Sequence, residues 1–166
     1  MNDDVVALLN STAPEFFVLL QQLLVNNIIL CIARLTDKPT TGRRENLTLS
    51  RLVLELSDNQ KYSELRTRLN EKYERIEKMS GPIRLYRHKL LAHADRAVCL
   101  KTNTNLGEEI SIKFIRELLK QIADFLNTFD YEFTNATTDY ADLIRRYRDV
   151  TNDFIAYLRK NVVKGC

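Results

Sequence analysis

Phe114-Ile115-Arg116-Glu117-Leu118-Leu119-Lys120-Gln121-Ile122-Ala123-Asp124-Phe125-Leu126-Asn127-Thr128-Phe129 carries apolar side chains at 114, 115, 118, 119, 122, 125, 126 and 129. Intervals of three and four are those of one face of an α-helix, so this segment predicts an amphipathic helix whose stripe other elements must cover. It opens at Ser111-Ile112-Lys113. A second stripe, Tyr140, Leu143, Ile144, Tyr147, Phe154, Ile155 and Leu158, predicts a last helix from about 138 to 162. With no alternating strand pattern and no Asn-Gly hairpin, the expected class is all-α and the architecture a helical bundle.

Upstream, Thr12-Ala13-Pro14-Glu15 has the form of a capping box, with proline where its missing donor costs nothing, and predicts the start of a long helix. That helix should stop near Asp37-Lys38-Pro39, because proline disfavours helical geometry in the residue before it, and Thr40-Thr41-Gly42 continues as loop. Its stretch from Phe16 to Leu35 has the length of a membrane span, but Gln21, Gln22, Asn26, Asn27 and Arg34 interrupt it. The expected reading is a central core helix, packed on most sides, that can also serve as a dimer seam, with no membrane partner. Positions 49, 52, 53 and 56 predict a short helix, and Ser57-Asp58-Asn59 separates it from a charged helix over 60–79 with a solvated face. Ser80-Gly81-Pro82 is then expected to end that helix and cap a new one running to about Asp95. Lys101 to Gly107 is turn-forming.

The 166 residues, 45% hydrophobic with 4 glycines and 3 prolines, suffice for one compact domain over 1–166. A net charge of +3 is too small for a general polyanion coat, so any nucleic-acid site must come from local clustering. Cys31, Cys99 and Cys166 form no CxxC pair, which indicates neither a disulfide framework nor a structural metal. Met1-Asn2-Asp3-Asp4 lacks the basic start of a secretory signal and the last four residues are not a prenylation box, so the expected setting is cytoplasmic. The Asn-x-Ser/Thr matches at Asn10, Asn46 and Asn135 are then coincidental.

Both histidines fall within Arg84-Leu85-Tyr86-Arg87-His88-Lys89-Leu90-Leu91-Ala92-His93-Ala94-Asp95. Histidine exchanges protons near neutrality, and arginine and lysine stabilise phosphate charge, so the segment points to phosphodiester chemistry or phosphate binding. On a straight helix Lys89 and His93 lie about 40° apart and share a face with Arg96, while Arg84, His88 and Asp95 cluster on roughly the opposite side. Arg87 and His93 are about 120° apart and should not touch. From pattern alone, the histidines read sooner as surface or capping residues near a helix C-terminus, where the dipole favours a cation.

Arg87-His88-Lys89-Leu90-Leu91-Ala92-His93 resembles the R-x(4-6)-H motif of the HEPN superfamily, with a polar residue directly after the arginine and a gap of five. The wider pattern Arg87-x-Lys89-x-x-Ala92-His93-x-Asp95, with Arg34-Leu35-Thr36-Asp37 and Asn46-Leu47-Thr48-Leu49, is similar to the abortive-infection U-type branch from about Phe16 to Phe129. The resemblance implies a HEPN-like bundle of long antiparallel helices, dimerised with the motif helices facing one another. In many members it implies a metal-independent endoribonuclease of phage-defence or toxin systems, without cofactor, acting on single-stranded RNA and sometimes controlled by an antitoxin or regulatory protein.

On this resemblance Arg87 would polarise the scissile phosphate, and His93 would act as general base or acid on the ribose 2′-hydroxyl or the leaving oxygen. Lys89, by like-charge repulsion, would favour neutral His93. His88 would be the polar orienting residue and Asp95 would anchor the helix end. Arg84, Lys89 and Arg96 would steer the RNA backbone. Toxins silenced by a partner nucleotidyltransferase usually carry tyrosine two residues after the histidine, where this chain has Asp95, a departure from that mode of control. The competing expectation is a noncatalytic HEPN scaffold that binds RNA, nucleotide or protein through the same basic surface; a third is a structural helical oligomer with its histidines on the rim.

Overall fold

The Ser111 hydroxyl accepts the Phe114 backbone N–H at 3.1 Å, satisfying one of the donors that a helix start leaves open. The computed structural model describes residues 3–92 and 110–162. In it the helices are α1 (Asp3–Thr12), α2 (Pro14–Thr36), α3 (Leu49–Glu55), α4 (Ser63–Tyr86), α5 (Ile112–Thr134) and α6 (Tyr140–Val162). A 3-10 turn, Gln60–Tyr62, leads into α4, and a π-helical turn, Arg87–Ala92, continues from its end. The class is all-α, as the stripes require. α5 stops where Asn135 takes the left-handed conformation (φ 52°) and donates its N–H to the Tyr131 carbonyl.

The chain divides into two compact units, Met1–Val25 with Thr138–Cys166, and Asn26–Thr137. In the larger unit the stripe of α5 buries Leu118, Ile122 and Phe125 in one core with Leu65, Leu69, Ile76 and Ile83 of α4. Each such side chain contributes about 1.5–3 kcal/mol when removed from water. Arg68 pairs with Glu132 (3.2 Å) and Lys72 with Asp124, so rising numbers on α4 meet falling numbers on α5 and the two long helices are antiparallel. In the smaller unit α1 packs on α6, with Leu8 and Leu158 buried.

Four expectations are corrected. The capping box does not form: α1 precedes Pro14, the Thr12 hydroxyl donates back to the Leu8 carbonyl at 2.7 Å, and the ladder carries on through Ala13 N–H to Leu9 and Phe17 N–H to Ala13. Pro14 is tolerated because a first-turn residue needs no donor.

Likewise, Ser80-Gly81-Pro82 does not end a helix, and Pro82 lies inside α4. An interior proline costs about 3 kcal/mol, but Ile76, Ser80 and Ile83 continue one fully buried face across it, and that packing outweighs the break. The Glu77 carbonyl, in the turn that the proline disturbs, accepts from Ser80 Oγ (3.0 Å) and Arg84 Nη2 (3.2 Å). Ser80 is therefore an internal tie rather than a cap.

Nor is α2 packed on most sides. Ile29, Ile32, Ala33 and Thr36 at its C-terminal end are buried, whereas Phe16, Leu19, Leu23 and Leu24 are more than half exposed. By length and composition alone this helix is apolar enough to cross a membrane.

The loop after α2, finally, holds a two-residue hairpin, β1 (Thr40–Thr41) against antiparallel β2 (Arg44–Glu45), turned by Gly42 at φ +61°. Positive φ favours glycine, and a two-residue loop needs it there.

Thr48 caps α3, accepting the Arg51 N–H at 3.3 Å, and Arg51 also pairs with Glu45 (3.1 Å) and Glu55 (2.6 Å), which fixes the hairpin against α3. Thr48→Ala is expected to lower the unfolding free energy by about 1 kcal/mol; urea denaturation measures it, and an unchanged midpoint would refute the capping role.

Candidate functional site

Thr36 is buried at the last turn of α2, where its hydroxyl donates to the Ile32 carbonyl at 2.9 Å. Its own carbonyl, one of those a helix end leaves unpaired, accepts Arg84 Nη1 from α4 at 2.9 Å. The same guanidinium donates to Ser80 Oγ at 2.7 Å and to the Glu77 carbonyl. A cation at a helix C-terminus also complements the dipole. Arg84 thus fastens the end of α2 to α4, a role that its expected part in steering RNA did not include.

One residue beyond Thr36, Asp37 forms an ion pair with Arg87 Nη1, each side chain 28% exposed. Both line a cavity of about 620 Å³ with Lys38, Ser50, Tyr73 and Arg84. A second hollow, about 560 Å³, lies along the hairpin and shares Asp37 and Thr41, adding Arg34, Arg44 and Asn46. Asn46 ties the loop shut: its Nδ2 donates to the Lys38 carbonyl and to Thr41 Oγ1, both at 2.9 Å, and its N–H to the Pro39 carbonyl at 2.8 Å. The fold therefore gathers Arg34, Asp37, Asn46 and Leu47 at one hollow and brings the motif arginine, fifty positions along the chain, to the same Asp37.

Arg87 opens the π-helical turn Arg87–Ala92. Such turns are rare and are found mostly as single-turn insertions, often at functional sites. The wider winding also means that the straight-helix angle for Lys89 does not carry over past Arg87. His88 is exposed and Lys89 half-buried. His93, Asp95 and Arg96 lie outside the described residues, and so does the expected turn over 101–107. Among the described residues no group of three or more His, Cys, Asp or Glu is gathered to hold a metal ion.

Residues 2–154 match the family HEPN_AbiU2, described as AbiU2. The chain belongs to the AbiU2 family of HEPN domains. This places it among abortive-infection HEPN proteins and agrees with the all-α fold. No curated protein and no solved structure shows a match to it. Within this AbiU2 chain Arg87 is paired with Asp37, a residue the sequence motif does not single out. The available signal was its place directly after the predicted helix end, inside the Arg34-Leu35-Thr36-Asp37 match.

Proposed function

We propose that this AbiU2 protein is one protomer of a dimeric, metal-independent endoribonuclease that cleaves single-stranded RNA in the cytoplasm during phage defence. The observation that carries the reading is Arg87: the motif arginine stands in a cavity wall, one arm of its guanidinium held by Asp37. Arginine presents five donors in a rigid fork, so a side chain fixed through one nitrogen keeps others for a phosphate.

The proposed reaction uses Arg87 together with His93, the histidine of the motif. The ribose 2′-oxygen attacks the adjacent phosphorus, its proton passing to His93; the P–O2′ bond forms and the P–O5′ bond breaks. The leaving oxygen takes a proton from a general acid, and Arg87 stabilises the charge that builds on the non-bridging oxygens. The products are a 2′,3′-cyclic phosphate and a 5′-hydroxyl, and DNA, lacking the nucleophile, is inert. Dimerisation is supported by the exposed apolar stretch of α2, since contiguous apolar surface of this kind marks association. The amides of Gln21, Gln22, Asn26 and Asn27 suit a protein surface better than hydrocarbon.

Purified protein incubated with single-stranded RNA in EDTA should run as a dimer on light scattering and leave cyclic-phosphate ends, detectable by mass spectrometry. RNA that is bound but never cut would make the chain a scaffold instead.

A further inference from the structure

We infer that Asp37 is the positioning residue for Arg87, aiming its guanidinium at the scissile phosphate; the inference rests on the ribonuclease reading and deepens it. Three observations converge. Asp37 follows directly on Thr36, a residue 2% exposed and held through both its hydroxyl and its carbonyl, so the backbone carrying the carboxylate is fixed. The clamp on that carbonyl is Arg84, in the last turn of α4 and three residues before Arg87, which continues directly from that helix, so donor and acceptor of the Asp37–Arg87 pair spring from segments already locked together. Both members stand at the wall of one cavity, partly shielded from water, where a guanidinium with a free torsion would otherwise sample many directions.

An arginine side chain loses about 2 kcal/mol of rotamer freedom when ordered. If the carboxylate has ordered it beforehand, the phosphate meets a fork already turned toward it, and the transition state gains what binding need not spend on orientation. The carboxylate also opposes the phosphate electrostatically, so removing it should not weaken RNA binding. Loss of positioning and gain of net positive charge thus lower kcat without raising KM, a split that a merely structural aspartate would not give.

The test is steady-state cleavage of single-stranded RNA in EDTA by the full chain and by Asp37→Asn, Asp37→Glu, Arg87→Ala and the double variant Asp37→Asn/Arg87→Ala. Asp37→Asn is expected to lose roughly 10- to 100-fold in kcat with KM unchanged or lower, Asp37→Glu to recover part of the loss, and Asp37→Asn to cost nothing further once Arg87 is absent. Binding of a 2′-deoxy analogue of the same strand, by fluorescence anisotropy, should be equal to or tighter than that of the unsubstituted protein, which also establishes that the variant is folded. Unchanged or increased kcat in Asp37→Asn overturns the inference, as does an equal loss in the presence and absence of Arg87. These outcomes leave the ribonuclease reading standing. That reading fails separately, and the inference with it, if the unsubstituted protein does not cut.

Discussion

Phe125→Ala is expected to lower the unfolding free energy by about 3–5 kcal/mol, the range for removing a large aromatic side chain from a packed core. Phe125 is fully buried on α5, in the cluster that joins it to α4. The loss combines the hydrophobic transfer of the ring with the cavity left behind, because Leu65, Leu69 and Ile76 belong to a second helix and cannot all close in. Against a typical domain stability of about 5–15 kcal/mol this is a large fraction, and for a chain of this size it corresponds to a midpoint lower by roughly 6–20 °C. The control is Leu119→Ala: Leu119 belongs to the same apolar series but is 42% exposed, so its loss should be about 1 kcal/mol or less. Thermal unfolding followed by circular dichroism measures both. Equal shifts would mean that α4 and α5 do not pack through this stripe.

That pair of variants marks where sequence reading was strong and where it was blind. The stripe from Phe114 to Phe129 fixes a helix, since no other regular structure gathers those positions, and Ser111 fixes its start. Periodicity names candidates for burial without ranking them: Phe125 and Leu119 look alike until α4 is in place. The same blindness explains α2. Its apolar residues suggest core because apolar residues usually are buried, yet burial depends on what neighbours exist, and in the chain by itself only the C-terminal turns find them. Local signals failed where a longer-range term overrode them. Thr12 and Ser80 are both good caps in isolation, but each sits in a helix that continues, the second because the Ile76, Ser80, Ile83 face keeps packing past Pro82.

The site was legible as one half of a pair. Arg87 could be singled out because its chemistry and the motif spacing travel together in the sequence. Asp37 could not, since no periodicity links residues fifty positions apart and only the fastening of α2 to α4 brings them into contact. Arg84 carries a part the sequence did not disclose. A basic residue beside a motif invites a role in binding RNA, and three hydrogen bonds to Thr36, Ser80 and Glu77 also give its guanidinium a part in holding the scaffold. The distinction has a physical basis: arginine satisfies orphan carbonyls as readily as phosphates, and the sequence does not say which it will meet.

Arg87→Ala and His93→Ala should each reduce cleavage of single-stranded RNA by about 100- to 1,000-fold, the range for removing one group that stabilises developing charge or transfers the proton. For Arg87 the loss belongs to chemistry rather than folding. Its ion pair is with a single partly exposed carboxylate, and such pairs contribute about 1 kcal/mol or less to stability, so the unfolding midpoint should move little while the rate collapses. Arg87→Lys separates charge from shape. A lysine ammonium can remain near Asp37 and near a phosphate, but it is a point charge without the planar fork, so the rate should stay well below that of arginine, by roughly 10-fold or more, even though net charge is conserved. In the proposed reaction the two residues serve one transition state, so the double variant Arg87→Ala/His93→Ala should be scarcely slower than either single one. Single-turnover cleavage in EDTA reads all four rates; retention of full activity by either alanine variant would falsify the assignment of that residue to the reaction. A multiplicative loss in the double variant would instead mean that arginine and histidine contribute independently to the barrier, the phosphate held by one and the proton moved by the other.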